Sequence, residues 1–350
     1  MNIDQVRISV IIPCYNGEQY LPQLLQSLQE QTEPADEIIA VESFSKDRSL
    51  EILRAYSRSL PLRIEQRPRA GLYPAWNEGV GFASHSLCYI ACVDDLVYPD
   101  IFYHLRRLYM AVPNVDLFTW RVKVIDSQAN IVAQDGSPIV GSLWGDWVKK
   151  THLRPGIADS LTALTLGSPY LSMMGVAFTR SLWEATGGFP TEYGAAGDVA
   201  WQIKAGLRTS IAHLPKTLAA WRVHDLAATT VNRSKEFFIR RKLFRDLSPI
   251  VLDHLGISNQ RRAHICLELD KVSEQTRMLV LLNRLFKAPS LASISSLGAY
   301  HAPGALIALV GQLIWRKLKS RAESSLAIPA NRLKRVLQEL QLSEPQPLEY

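Results

Sequence analysis

The chain has little cysteine, and its spacing pairs none of it. Cys14, Cys88, Cys92 and Cys266 form no CxxC pair, and three of the four lie in or beside apolar segments. A free thiol there behaves as a small hydrophobe, so these cysteines are expected to be reduced and structural. No GxGxxG follows the first apolar segment, and no GxxxxGK(S/T), HExxH or GxSxG occurs. Dinucleotide oxidoreductases, P-loop enzymes, zincins and α/β-hydrolases therefore lack their defining residues. Internal repeats and low-complexity tracts are absent. Residues 1–7 show no basic n-region, apolar h-region or small-residue cleavage site, which predicts a cytoplasmic location. The Asn232-Arg-Ser234 sequon then matches by chance.

Positive charge is scarce in one part and concentrated in another. Residues 231–350 hold 19 Lys and Arg against 10 Asp and Glu, a net of +9, whereas residues 1–230 hold 20 against 23, a net of −3. The basic region argues for an anionic surface such as a membrane, and against a nucleic-acid-binding core. With 350 residues, 47% hydrophobic and 21% charged, the chain exceeds the usual single-domain length, and one large domain with an appendage is expected.

Strand and helix signals alternate from the start. Val6 to Pro13 reads as a buried strand, Leu21, Leu24, Leu25 and Leu28 recur at helical spacing, and Asp36 to Glu42 is the next strand. A second helix with apolar Leu50, Leu53 and Tyr56 leads to strands at Leu62 to Gln66 and Leu87 to Val93. This predicts an α/β fold with a doubly wound, mostly parallel, Rossmann-like sheet. Further strands are expected at Val115 to Ile125, on a sheet edge, and at Ser172 to Phe178. A long polar stretch carries Trp144 and Trp147. After about residue 230 the pattern turns helical and basic, which divides the chain into residues 1–230 and a helical region 231–350.

The most informative segment is Cys92-Val-Asp94-Asp95-Leu-Val-Tyr-Pro99-Asp100. It sets two adjacent carboxylates at the end of an apolar strand, where open α/β sheets bind ligands. Two acids there suit a hard cation and the phosphates it carries. The bland alternative is that they cap the helix entered at Pro99.

Four segments in order resemble the family-2 inverting glycosyltransferases of the GT-A fold: Ile8 to Glu18 with Pro13-Cys-Tyr15-Asn16-Gly17-Glu18, the turn Glu42 to Asp47, Gly71-x-Tyr73-x-Ala75-x-Asn77-x-Gly79, and Asp94-Asp95-x-x-x-Pro99-Asp100. Gly187-Gly188-Phe189 with Gly197-Asp198-x-x-Trp201 is similar to the family's acceptor-side segment and catalytic acid, and Trp221-Arg-Val-His224 to the segment that ends the domain. The likeness covers about residues 6–230. It implies inverting transfer of a sugar from a nucleotide-diphospho-sugar, UDP-linked, to a hydroxyl of a glycan or lipid-linked acceptor in cell-envelope polysaccharide synthesis.

That chemistry asks for these residue types. The leaving diphosphate needs a divalent ion, Mn²⁺ or Mg²⁺, as Lewis acid. Asp95 is the first candidate ligand, Asp94 contacts the ribose or serves as a second ligand, and His224 is either a third ligand or a plain residue near a strand end. Inversion needs one carboxylate to take the acceptor's proton, and Asp198 is the candidate base, with a helix N-cap as its alternative. Pro13, Tyr15, Asn16, Glu18 and Glu42 are the expected nucleotide contacts, with Tyr15 against the base or merely packed at the strand end. Asn77 is placed in the donor site or, with Gly79, in the turn beneath it.

The chain departs from the family pattern at Cys92, where an acid or Asn is usual, at Pro74, at Glu42, one methylene longer than the family's Asp, and at Gly197. These departures leave a second reading, a catalytically inactive GT-A module that binds nucleotide or glycan as a scaffold. A sugar nucleotidyltransferase would want a Gly-rich basic loop where Pro13-Cys-Tyr-Asn-Gly17 stands. In the C-terminal region Pro303 to Trp315 is apolar but well short of the ~20 residues that span a bilayer, and Arg316 to Arg321 follows it. It reads either as an interfacial helix giving peripheral contact with the inner face of the cell membrane or as a packed core helix.

Overall fold

The structure, a computed structural model, describes residues 2–133, 138–224, 236–287, 327–342 and 344–350. Ile8–Cys14 forms β1, buried along its whole length. β2, Glu37–Glu42, runs parallel to it, Ser9 opposite Glu37 and Cys14 opposite Glu42. The helix between them, α1 (Leu21–Gln29), buries Leu21, Leu24, Leu25 and Leu28. Those positions share one stripe of a 3.6-residue period, and that stripe faces the sheet.

α2 (Ser49–Tyr56) leads to β3 (Leu62–Gln66), parallel to β2. α3 (Leu72–Phe82) then returns the chain to β4 (Leu87–Ile90), which is parallel to β1 on its other side. The order β3-β2-β1-β4 reverses between β1 and β4, and a doubly wound sheet opens a crevice at the carboxyl ends of its strands at such a point.

The remaining strands extend the sheet beyond β4. They are β5 (Leu96–Val97), β6 (Leu117–Ile125), β7 (Ile131–Ala133), β8 (His152–Arg154), β9 (Val176–Thr179) and β10 (Ile211–Arg222), with α4 (Ile101–Ala111), α5 (Pro138–Trp144), α6 (Gly156–Thr165), α7 (Arg180–Thr186) and α8 (Gly197–Gly206) between them. β6 and β10 are parallel to each other, while β9, between β4 and β6, runs against both. The doubly wound, mostly parallel sheet expected from the sequence is present.

Three expectations are corrected. Val115 to Ile125 is not an edge strand, because β6 lies between β9 and β10. Leu117 to Trp120 are all buried, the pattern of a strand covered on both faces. The strand read as Leu87 to Val93 stops at Ile90: a turn closed by Asp95 N–H on the Cys92 carbonyl follows, so both acids sit beyond the strand rather than at its last residue. Ser172 to Phe178 begins as a 3-10 turn at Met173–Gly175 before β9 starts.

Beyond β10 the described chain is helical, as expected: α9 (Glu236–His254), α10 (Asn259–Lys287) and α11 (Ala327–Glu339). Leu243, Leu247, Val251, Ile265, Leu269, Val272 and Leu333 form one core with Leu161 and Leu164 of α6 and Ala200 and Ile203 of α8. A last strand, β11 (Gln346–Pro347), pairs antiparallel with β8 in the same sheet. Among the described residues no helix is long and apolar enough to cross a membrane. The Pro303 to Trp315 run, its basic flank Arg316 to Arg321 and the Asn232 sequon lie outside the described residues.

Candidate active site

A pocket of about 400 Å³ opens at the carboxyl ends of β1, β2 and β4. Pro13 of β1 and Tyr15 just after it enter the pocket, Ser43 follows β2, Asp94 and Asp95 follow β4, and Trp221 enters from β10. Asp198 lines it as well.

The two adjacent acids have different environments. Asp95 is buried and its Oδ1 accepts the backbone N–H of Arg222 at 2.7 Å. Burial, and next the charge of Asp94, push its carboxyl well above the usual carboxylate range, against the pull of Arg222. Asp94 is more open, and its Oδ2 lies 2.9 Å from Nε2 of His224. The fully buried Arg222 fixes this corner: its guanidinium donates to the carbonyls of Asp94 (2.6 Å) and Asp126 (3.0 Å) and to Gln23 Oε1 (2.7 Å), and stacks over the Tyr20 ring. Both acids line the pocket, and Asp94 is the one that meets the His224 imidazole. Cys92 also lines the pocket, and burial foremost, then Asp95 and Asp94, raise its thiol pKa well above the ordinary value.

A carboxylate oxygen beside an imidazole nitrogen is a donor pair suited to Mn²⁺, with Mg²⁺ favouring oxygen more strictly. Among the described residues no cluster of three His, Cys, Asp or Glu forms a closed cage. Two side-chain donors leave room for phosphate oxygens and water, which is how nucleotide-linked divalent ions are usually held.

Asp198 lies inside the first turn of α8, and the residue at the cap is Ala196. Its Oδ1 instead accepts the Tyr73 hydroxyl at 3.0 Å. Burial raises its pKa, and the Tyr73 hydrogen bond, with backbone N–H groups of the turn, restrains the rise. The approach is close: a Cβ on Gly197 would collide with the Pro190 carbonyl and stand 2.7 Å from the Tyr73 ring. The departure from the family pattern at Gly197 thus makes room for the tyrosine that holds the acid.

Residues 9–130 match the family model described as glycosyl transferase family 2. Through this segment the chain is similar to glycosyltransferase family 2. It is 35% identical over 103 residues to an uncharacterized glycosyltransferase of Escherichia coli, YibD, covering 29% of this chain and 30% of that one. Its match to the poly(ribitol-phosphate) β-N-acetylglucosaminyltransferase TarS of Staphylococcus aureus is 38% over 63 residues, 17% of this chain and 11% of TarS. These matches span a third or less of the curated relatives' lengths. In three dimensions the likeness is longer: the crystal structure of TarS residues 1–349 with UDP-GlcNAc superposes with a TM-score of 0.60 at 19% identity, over 96% of this chain and 92% of that one. The mannosyltransferase PcManGT of Pyrobaculum calidifontis, solved with GDP-Man and Mn²⁺, gives 0.52 at 18% identity, over 96% and 87%. The fold is GT-A.

Within the family-2 segment, several residues expected at the nucleotide prove to hold loops. Asn16, at φ 50°, receives the Lys46 N–H on its side chain at 2.9 Å, and its own N–H donates to Ser45. Glu18 accepts the Arg48 N–H at 3.0 Å, and Asp47 accepts the Glu18 N–H at 3.0 Å. Glu42 is fully buried, its oxygens engaged by Ser45 N–H (2.6 Å) and Gln66 Nε2 (2.9 Å). Burial alone would raise its pKa, but hydrogen bonds from Ser45, Gln66 and Phe44 lower it. Asn77 accepts the N–H groups of Phe189 (2.8 Å) and Trp183 (3.0 Å) and donates to the Phe189 carbonyl (2.9 Å), so it ties α3 to the Gly187–Phe189 turn. Asn16, Glu18, Glu42 and Asn77 do not line the pocket; Pro13, Tyr15 and Asp94 do.

Sequence reading missed other wall residues. Arg69 lines the pocket with its guanidinium 3.9 Å above the Tyr15 ring, and Ser43 and Trp221 stand beside it. No spacing marks an exposed Arg in Gln66-Arg-Pro-Arg69, whereas Tyr73 was visible as a motif residue but not as the partner of Asp198.

Proposed function

We propose that this chain is an inverting, metal-dependent glycosyltransferase of hexosyltransferase type. It moves a sugar from a UDP-linked donor to a hydroxyl of a glycan or lipid-linked acceptor in cell-envelope polysaccharide synthesis. One observation carries the reading: Asp94, which holds His224 through its carboxylate, and the Tyr73-bound Asp198 line a single pocket at the switch point of the sheet. Pro13, Tyr15, Ser43 and Arg69 form the nucleotide end, and the UDP-GlcNAc in the TarS structure supports a uridine donor.

Asp94 and His224 would hold Mn²⁺ or Mg²⁺, which supplies Lewis-acid neutralisation of the leaving diphosphate. Asp198 takes the proton of the attacking acceptor hydroxyl, and Tyr73 fixes the carboxylate's rotamer while it does so. Raised basicity suits that role, because a stronger base takes the proton earlier in bond formation. Arg222 keeps the Asp94 carbonyl and the Asp95 carboxylate in place, so the loop does not rearrange when charge arrives. The basic region after residue 230 accords with peripheral contact at the inner face of the membrane, where a lipid-linked acceptor would be met. The scaffold alternative has less support, since the Asp94–His224 pair and the Asp198 site are both present.

Thermal unfolding with UDP or GDP, with and without Mn²⁺, tests the reading. UDP with Mn²⁺ is expected to stabilise most, by about 2.7 kcal/mol at a hundredfold excess over Kd. No stabilisation by either nucleotide, with or without the ion, contradicts it.

A further inference from the structure

A second cavity, of about 360 Å³, shares four wall residues with the first: Leu171, Ala195, Asp198 and Trp221. Its other walls include the apolar Leu164 of α6, Val199 of α8, and Ile239 and Leu243 of α9. One shared residue has a strained backbone. Leu171 has φ 64°, and the Ser172 N–H donates to the Tyr170 carbonyl at 2.7 Å across it, which makes the rare and strained form of γ-turn. Among the described residues, Leu171 is the one non-glycine residue of positive φ that lines either cavity. The turn is fixed from both sides. The N–H of the buried Tyr170 donates to Ser168 Oγ at 3.2 Å, and Ser172 Oγ accepts the Met174 N–H at 3.2 Å. A Cβ on Gly175 would stand 3.1 Å from the Tyr170 carbonyl oxygen, so the chain packs tightly behind the turn.

Glycine adopts positive φ without strain, and strained residues persist where the surrounding structure fixes them, most often at ligand sites. A half-buried leucine kept in that backbone, where two cavities share it, is there for its side chain. The proposed nucleotide contacts line only the first cavity, and the base of an inverting transfer meets the acceptor on the face away from the leaving group. That leaves the second cavity for the acceptor. We propose that Leu171 is a specificity-determining residue for the acceptor: its side chain fixes how deep an apolar group enters along Leu164, Val199, Ile239 and Leu243 while the hydroxyl beside that group meets Asp198. The inference rests on the transferase reading above and adds to it the acceptor's apolar group and the residue that measures it.

The test titrates the full chain, already carrying UDP and Mn²⁺, with methyl, hexyl, octyl and decyl glucoside below their micelle concentrations. In the parent chain octyl glucoside is expected to bind about tenfold or more tightly than methyl glucoside, because each buried CH₂ group strengthens binding severalfold. Leu171→Ala is expected to raise the ratio of decyl to hexyl binding by about threefold or more, somewhat under the worth of one buried CH₂ group, and Leu171→Phe to lower it as much. Leu171→Gly takes the φ 64° backbone without strain, so it is expected to melt no lower than Leu171→Ala and to share its ratio. A merely structural role would weaken all four ligands together and leave the ratio where it was. The UDP–Mn²⁺ stabilisation, measured on each chain first, reports folding and the donor site separately, and its absence in the parent chain contradicts the transferase reading itself. Where Leu171→Phe fails to fold, the Ala and Gly ratios decide. Octyl glucoside binding no tighter than methyl glucoside, no binding of any of the four, a ratio unmoved in Leu171→Ala, or the parent ratio in Leu171→Gly overturns the proposal.

Discussion

The loops at the carboxyl ends of the strands and the helical layer of α6, α8 and α9 are built by opposite means. The short loops after β1 and β2 are laced together by their own polar groups: Asn16 to Lys46, Glu18 to Arg48, Asp47 to Glu18, Glu42 to Ser45. In the helical layer the helices pack through a hydrophobic core, and the polar exceptions beside it are few and deeply buried. Arg154 and Asp159 are each 1% exposed and meet through two bonds of 2.8 Å, and His152 and His213 stack beside them with ring centroids 4.9 Å apart. Loop walls therefore carry dense motifs because each loop must be told where to lie, whereas helix walls are specified by apolar spacing that many sequences satisfy.

The contrast can be broken from either side. The largest effect is expected at the boundary between the walls, where Asp198→Asn keeps the shape and the Tyr73 hydrogen bond but removes the proton acceptor. UDP release from a UDP-sugar should fall by roughly two to four orders of magnitude while UDP–Mn²⁺ affinity stays within about twofold. The same variant has a stability signature. The folded-state pKa of Asp198 is raised, so the folded chain binds more protons than the unfolded one between the unfolded and folded values, and stability falls as pH rises through that window. Asp198→Asn is accordingly expected to melt higher than the parent chain at neutral pH and equally below the ordinary Asp range. Near-normal UDP release would place the base elsewhere.

Next in size is Arg154→Leu, which strands the Asp159 carboxylate in the buried layer between β8 and α6. Breaking a buried pair by removing one partner costs about 3–5 kcal/mol, and urea unfolding measures it. Adding Asp159→Leu should recover a large part of the loss, since an apolar pair of similar volume is often no worse than a buried ion pair. A cost below about 1 kcal/mol would mean that the pair is not a determinant of this wall.

A smaller effect distinguishes the walls by pH. Burial foremost, and then the charge of Arg154, push His152 down to about 4, and burial, Arg154 and His152 push His213 well below its usual value. Unfolded histidines titrate near 6.5. Between that value and about 4 the unfolded chain binds more protons than the folded one, so stability is lost as pH falls through this window. Melting points at pH 7 and pH 5 check the sign, and His213→Leu should reduce the difference. An unchanged or higher melting point at pH 5 would contradict the assignment.

Much of this was legible beforehand, for reasons that differ by residue. The apolar runs of β1, β2 and β4 and the Leu21, Leu24, Leu25, Leu28 stripe declare the parallel half, because one face or both must be buried. The pocket's place followed from where those strands end. The partition of Asp94 and Asp95 did not, since only the loop's fold decides which acid accepts Arg222's N–H and which stays open. Glu18, Glu42 and Asn77 matched motif positions whose first duty is to hold backbone, and a match of residue type cannot tell a ligand from a brace. Arg69 reaches the pocket from a segment with no motif, Trp221 belongs to a motif that marked the domain's end and not a wall, and the central position of β6 depended on β9 inserting antiparallel from far along the chain.

The account turns on Asp94, not Asp95, meeting the metal-bound donor. Calorimetric titration of UDP, with and without Mn²⁺, into Asp94→Ala and Asp95→Asn tests this most directly. Asp94→Ala is predicted to lose the Mn²⁺-dependent gain in UDP affinity altogether. Asp95→Asn, which can still accept the Arg222 N–H, is predicted to keep most of that gain. Retention of the gain in Asp94→Ala together with its loss in Asp95→Asn would contradict the account.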